Sequence, residues 1–309
     1  MNRRRVGLIL LIGLVAPLLL GTVTVLVALS SKAAAKKVIA IALGKSKGLE
    51  IGEIRGPLKG PLYLFGVSYR SGALTARVDT LLLEWRPSRL LLGRLDLKRV
   101  YASGVHLTLP DSAPPDTAGT AKARLQRPGT PLPVVLGDVA IRGIELNAPG
   151  NTMLRAGELD LDGTLEHYRF DLRGTGFAPA VGTLQAHLTG TGGLEQVTLD
   201  SSTARVLHGA ASATGRVGWW PKVAWDLVVR GDSLQLAPLF PQPAKWPGKV
   251  DFHLSTVGVI DSAGFDGKVR VDSLGGTLRG QRLAGHFDLA FAPGVYQSYQ
   301  LENAELHWG

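Results

Sequence analysis

The sequence predicts a mainly β protein behind an N-terminal membrane helix, and three observations predict it. Val6 to Leu29 is an apolar run without a charged residue, and about twenty such residues cross a bilayer core as a helix. From Leu49 onward hydrophobicity alternates with a period of two, as in strands with one apolar and one polar face. After residue 45 no amphipathic helix exists to cover such a sheet.

The first element, residues 1–30, is a signal-anchor helix with Val6, Leu14, Pro17, Leu20 and Leu29 along it. Gly7, Gly13, Pro17 and Gly21 interrupt the run, which membrane helices tolerate better than soluble ones. A cleaved signal peptide is the competing reading, with Ala28-Leu29-Ser30 as its cleavage site. Its apolar region is usually shorter, about 7–15 residues, so an uncleaved anchor is preferred. Arg3, Arg4 and Arg5 precede the run, and Lys32, Lys36 and Lys37 follow it. The tight arginine cluster favours an inside N-terminus, with the rest of the chain outside the cytoplasm.

Residues 1–60 hold ten Lys and Arg against two acids, +8 of the chain's formal +9. Basic residues beside a membrane gain roughly 1 kcal/mol each from anionic headgroups; topology and solubility signals explain the excess equally well. The same distribution excludes a nucleic-acid interface, because the charge precedes the sheet and is not interleaved with stacking aromatics.

Residues 31–48 form the second element. Ser31–Leu43 is alanine-rich, with Lys32, Lys36 and Lys37 on one side and Val38, Ile41 and Ala42 on the other, so it reads as a juxtamembrane helix. Gly44-Lys45-Ser46 imitates the tail of a phosphate-binding loop, but Ile39 stands where its leading glycine belongs and no strand precedes it.

Residues 49–309 supply the sheet. Leu81, Leu83 and Trp85 fall on one face, as do Val105, Leu107 and Leu109, Leu159 and Leu161, and Val223, Trp225, Leu227 and Val229. Val250, Phe252 and Leu254, then Phe287, Leu289 and Phe291, repeat the pattern. Counting such segments predicts roughly 14–18 strands, mostly antiparallel because the connections are short. Pro87–Gly93 is a short helix or turn, and the proline-rich 110–133 is a long mobile loop. In Pro238–Gly248, Leu239, Phe240 and Trp246 predict a passage that packs against or caps something.

An apolar face must leave water. A closed barrel, a two-sheet sandwich and a curved sheet around an apolar ligand all satisfy this. An uncleaved inner anchor opposes an outer-membrane barrel. Few aromatics and many glycines suit a smooth, bendable sheet, but groove and sandwich remain level on physical grounds.

Enzyme chemistry has little support. With no cysteine, thiolate chemistry and disulfides are excluded. The seven histidines are scattered without metal-ligand spacing, and no serine occupies a Gly-x-Ser-x-Gly elbow. No catalytic residue, metal or cofactor is expected.

Leu49-Glu50-Ile51-Gly52-Glu53-Ile54-Arg55-Gly56-Pro57-Leu58, then Leu64-Phe65-Gly66-Val67-Ser68-Tyr69, resemble the opening of the TamB family, within the AsmA-like envelope proteins. Leu83-Glu84-Trp85-Arg86-Pro87-Ser88-Arg89-Leu90-Leu91 and Gly104-Val105-His106-Leu107 continue the likeness. Gly215-Arg216-Val217-Gly218-Trp219-Trp220-Pro221, Trp246-Pro247-Gly248-Lys249-Val250 and Gly276-Thr277-Leu278-Arg279-Gly280 are similar to its later vocabulary. The resemblance implies a long, curved, open, taco-like β-groove in the periplasm, anchored in the inner membrane. It implies phospholipid transfer towards the outer membrane, or a scaffold for inserting outer-membrane proteins with a TamA-like barrel partner. Val223, Leu227, Val229, Phe252, Leu254, Phe287 and Leu289 are the expected acyl-chain contacts. The family's C-terminal domain is missing, and Ala304–Gly309 ends inside a strand pattern, so a fragment is expected.

Overall fold

The computed structural model describes residues 48–56, 60–71, 74–108, 133–148, 151–178, 181–240, 242–261, 264–292 and 298–309. The expected anchor, nearly all of the juxtamembrane helix, and residues 110–132 lie outside them. Among the described residues no helix is long and apolar enough to cross a membrane.

The described residues form fifteen strands hydrogen-bonded in sequence order, with β1 and β15 as edges, so the sheet is open and is not a closed barrel. It divides into two compact units, Met1–Asp171 and Leu172–Gly309. The first contains β1 (Leu49–Arg55), β2 (Leu62–Ser71), β3 (Leu74–Trp85), β4 (Leu95–Thr108), β5 (Val134–Ala148), β6 (Asn151–Thr164) and the start of β7 (His167–Ala178). The second contains the rest of β7, then β8 (Gly182–Gly192), β9 (Gln196–Val206), β10 (Gly209–Gly218), β11 (Val223–Leu234), β12 (Gly248–Asp261), β13 (Gly264–Leu278), β14 (Gln281–Ala292) and β15 (Ser298–Trp308). The only helical pieces among the described residues are 3-10 turns at Pro87–Leu92, Ala237–Leu239 and Pro243–Lys245.

Short turns make neighbours antiparallel. The exception is β4–β5, which pair in parallel from Leu95↔Val134 to Thr108↔Asn147. A parallel step needs a connection of about a dozen residues or more, and the chain between Thr108 and Val134 supplies it.

In the first unit the alternation is interrupted at a level that neighbouring strands share. Inward residues run Leu62, Leu64, Val67 on β2; Ala76, Val78, Leu81, Leu83, Trp85 on β3; and Val134, Leu136, Val139, Ile141, Ile144, Leu146 on β5, all buried. Steps of three residues separate the pairs. Gly66, Gly104 and Gly143, at φ of 62°, 64° and 65°, occupy three of the long steps. Asp79 on β3 lies between Gly66 and Gly104, as the pairs Phe65↔Thr80, Val67↔Val78, Thr80↔Ser103 and Val78↔Val105 require. An extra residue bends a strand and sharpens its twist. Here the extra residues are aligned, so register survives and the crease crosses neighbouring strands. Its outward side carries an ion-paired network: Arg77 Nε to Asp79 at 3.1 Å, and His106 between Asp79 (3.6 Å) and Glu145 (3.0 Å).

At one end of this unit backbone hydrogen bonds continue past the strand ends. The Arg86 amide donates to Asp96 O, Leu95 N to Pro133 O and Leu165 N to Val134 O. Leu95 has no exposed surface, and Asp96 is buried beside Arg86 and Arg89.

Candidate functional site

In the second unit, cross-strand partners share a face, and the register assembles apolar rows. Ala213, Val229, Leu254, Val271 and Phe287 oppose one another in turn across five strands. A parallel row runs Gly215, Leu227, Thr256, Val269, Leu289. Val223 opposes Ile260, and Phe252 stands between Gly231 and Leu274. The seven expected contact residues therefore lie on one face of β11, β12 and β14, each half-buried. Val229, Leu254 and Phe287 share one row and Leu227 and Leu289 the next; Val223 stands apart near the far end. Phe252 also packs against a small core of Leu207, Leu234, Val250 and Leu283.

The opposite face carries the charged residues, with Val228 and Val257 exposed among them. Asp226 and Asp251 are exposed. Asp288 accepts from Arg270 Nε and Asn303 Nδ2, both at 3.1 Å. The Asn303 bond first, then the Arg270 guanidinium, holds its carboxyl below the ordinary value.

Other residues of the apolar face were not among the expected contacts. Trp225 stacks on Phe265 at 5.4 Å, and Phe265 meets Phe291 edge-on at 5.0 Å. Trp225 Nε1 donates to Thr256 Oγ1 at 3.2 Å. Gly258 lies under the indole, and any Cβ there would collide with it. The detectable signal was the pair of glycines, Gly258 and Gly267, opposed on adjacent strands. Ser202 also faces inward, opposite Ala213 and Leu188. It is 4% exposed and its hydroxyl has no hydrogen-bond partner among the described residues. Nothing in the sequence distinguishes it from Ser201, which points outward.

The two units differ in burial. In the first, Leu83 is 1% exposed and its inward neighbours are similarly covered. In the second, most inward residues keep part of their surface accessible. Among the described residues no three His, Asp or Glu side chains are grouped to hold a metal ion.

Fold and site together define an open-sheet β protein whose distinguishing surface is an apolar face opposed to an ion-paired one. The family model "TamB, N-terminal domain" matches residues 19–154 and 152–308, so the chain belongs to that family. The TamB family comprises membrane-associated envelope proteins. No match is found among curated proteins, and none among solved structures.

Proposed function

We propose that the protein is anchored in the inner membrane by residues 1–30, with residues 49–309 in the periplasm. There the apolar face carries phospholipid acyl chains between membranes. One observation carries this reading: the apolar row through Val229, Leu254, Val271 and Phe287, with Leu227, Val269 and Leu289 beside it on the same face. Exposing an acyl chain costs about 0.8 kcal/mol per methylene, so two chains of about 15 methylenes cost roughly 24 kcal/mol in water. A continuous apolar trough removes most of that cost while the headgroup stays hydrated. No catalytic residue is required.

A second reading is an assembly scaffold acting with a TamA-like outer-membrane barrel. Such a scaffold would accept an added strand along a sheet edge.

Photocrosslinking in cells separates the two. Probes at Leu227, Phe252 and Phe287 should yield phospholipid adducts, with none at Asp226, Asp251 and Asp288. Leu83 serves as a buried control. Protein adducts at Leu301, without lipid at the apolar set, would move the assignment to the scaffold.

A further inference from the structure

One rim of the second unit combines features that the apolar face does not use. The segment from Gln235 to Pro247 joins β11 to β12 through two 3-10 turns. Its ends are tied down: the Gln235 amide donates to Leu207 O at 2.9 Å, and the Arg279 amide to Pro247 O at 2.7 Å. Phe240 stacks on Trp246 at 4.7 Å, and the Arg279 guanidinium covers that indole at 5.2 Å. The strap is therefore fixed against the β13–β14 turn. Leu239, on its outer side, remains 46% exposed.

The charge here is one-sided. No Asp or Glu occurs in residues 233–250 or 273–287, the segments that meet at this rim. They contribute Lys245, Lys249, Arg279 and Arg282, all exposed. Lys249 and Arg282 flank Thr277 in register on the outward face. None of the four has a carboxylate partner among the described residues, whereas Arg142 and Arg270 elsewhere on the sheet do. The carboxylates bordering the strap segment, Asp232 and Asp251, both accept hydrogen bonds from Ser233.

An exposed leucine, two aromatic rings and unpaired cations are the chemistry of a bilayer interface: aromatic rings settle at headgroup depth and cations meet anionic lipid. We propose that the strap of residues 235–240 and 242–247, with Arg279, Lys249 and Arg282, is a docking surface for an anionic phospholipid bilayer. It brings one rim of the apolar face to the membrane surface. Lipid carriage is not needed for this contact, so its failure would leave the preceding reading as it stands.

The native chain has no cysteine, so Ala244→Cys places one environment-sensitive fluorophore on the strap. The full chain, held in neutral phosphatidylcholine nanodiscs, is titrated with vesicles of phosphatidylcholine alone or with about one-third phosphatidylglycerol. Each basic residue is expected to strengthen binding about fivefold. The anionic vesicles should blue-shift the dye. Lys245→Gln with Lys249→Gln should weaken binding on the order of 25-fold, and adding Arg279→Gln and Arg282→Gln should weaken it more than about 100-fold. The double variant removes neither side chain that holds the strap, so it decides the matter should the quadruple variant misfold. An unshifted dye, an equal shift on neutral vesicles, or indifference to the double variant would overturn the proposal.

Discussion

Ser202 places a hydroxyl where a methyl would serve the fold better. A buried, unsatisfied polar group costs about 1–3 kcal/mol. Ser202→Ala is therefore expected to raise stability by about 1 kcal/mol in urea titration; a loss would mean the hydroxyl is satisfied in solution. Tyr168 offers a pH test. Burial pushes its phenol up to about 12, against about 10 in an unfolded chain. Above pH 10 the unfolded state releases a proton that the folded state retains, so stability is intact below pH 10 and falls as pH climbs towards 12. Tyr168→Phe should flatten that alkaline limb; an identical limb would place the effect elsewhere. Neither residue was legible in the sequence, because Ser202 and Ser201 differ only in which face the β9 bulge gives them.

The elements were largely legible. Alternation places Leu81, Leu83 and Trp85, and Val223, Leu227 and Val229, on common faces; the Pro87 interruption is the short helix or turn expected, whereas the Pro238 passage, expected as irregular, holds two 3-10 turns. What alternation hides is the three-residue step, because Val78 and Leu81 look out of phase until Asp79 and Thr80 are counted as a crease. It also hides the parallel β4–β5 step, which no local pattern encodes. The aromatic ladder of Trp225, Phe265 and Phe291 depends on bare backbone beneath it, so Gly258→Ala should displace the indole from its Thr256 bond. Overpacking of this kind typically costs about 1–3 kcal/mol, and tryptophan fluorescence together with thermal unfolding checks it. An unchanged emission spectrum would mean that the ring accommodates a methyl without moving.

At the scale of the whole molecule, mainly β class and TamB membership were both visible before the structure. The difference between the units was not. The first draws its inward face mainly from Leu, Val and Ile and covers those side chains to a few per cent, while the second mixes in Gly, Ala, Phe and Trp and leaves most of them only half-buried. Composition fixes which residues avoid water; it does not fix how completely neighbouring elements cover them. The candidate contacts, chosen for their repeated alternation, all fall in the second unit, where apolar surface remains accessible.

The aligned crease also governs which lengths of chain each strand tolerates. Away from it, losing one residue reverses the faces of everything beyond, exchanging core for surface. At the crease, the same loss removes only the surplus position. Deleting Gly104 should leave Ala102, Val105 and Leu107 facing inward, with Asp79 of β3 as a two-against-one bulge. Deleting Leu82, beyond the crease on β3, should turn Leu83 and Trp85 outward. Soluble yield and urea midpoints of the two deletions should therefore diverge sharply, and equal damage would show that the crease does not set the phase. Single residues can be lost along this line without exchanging core for surface.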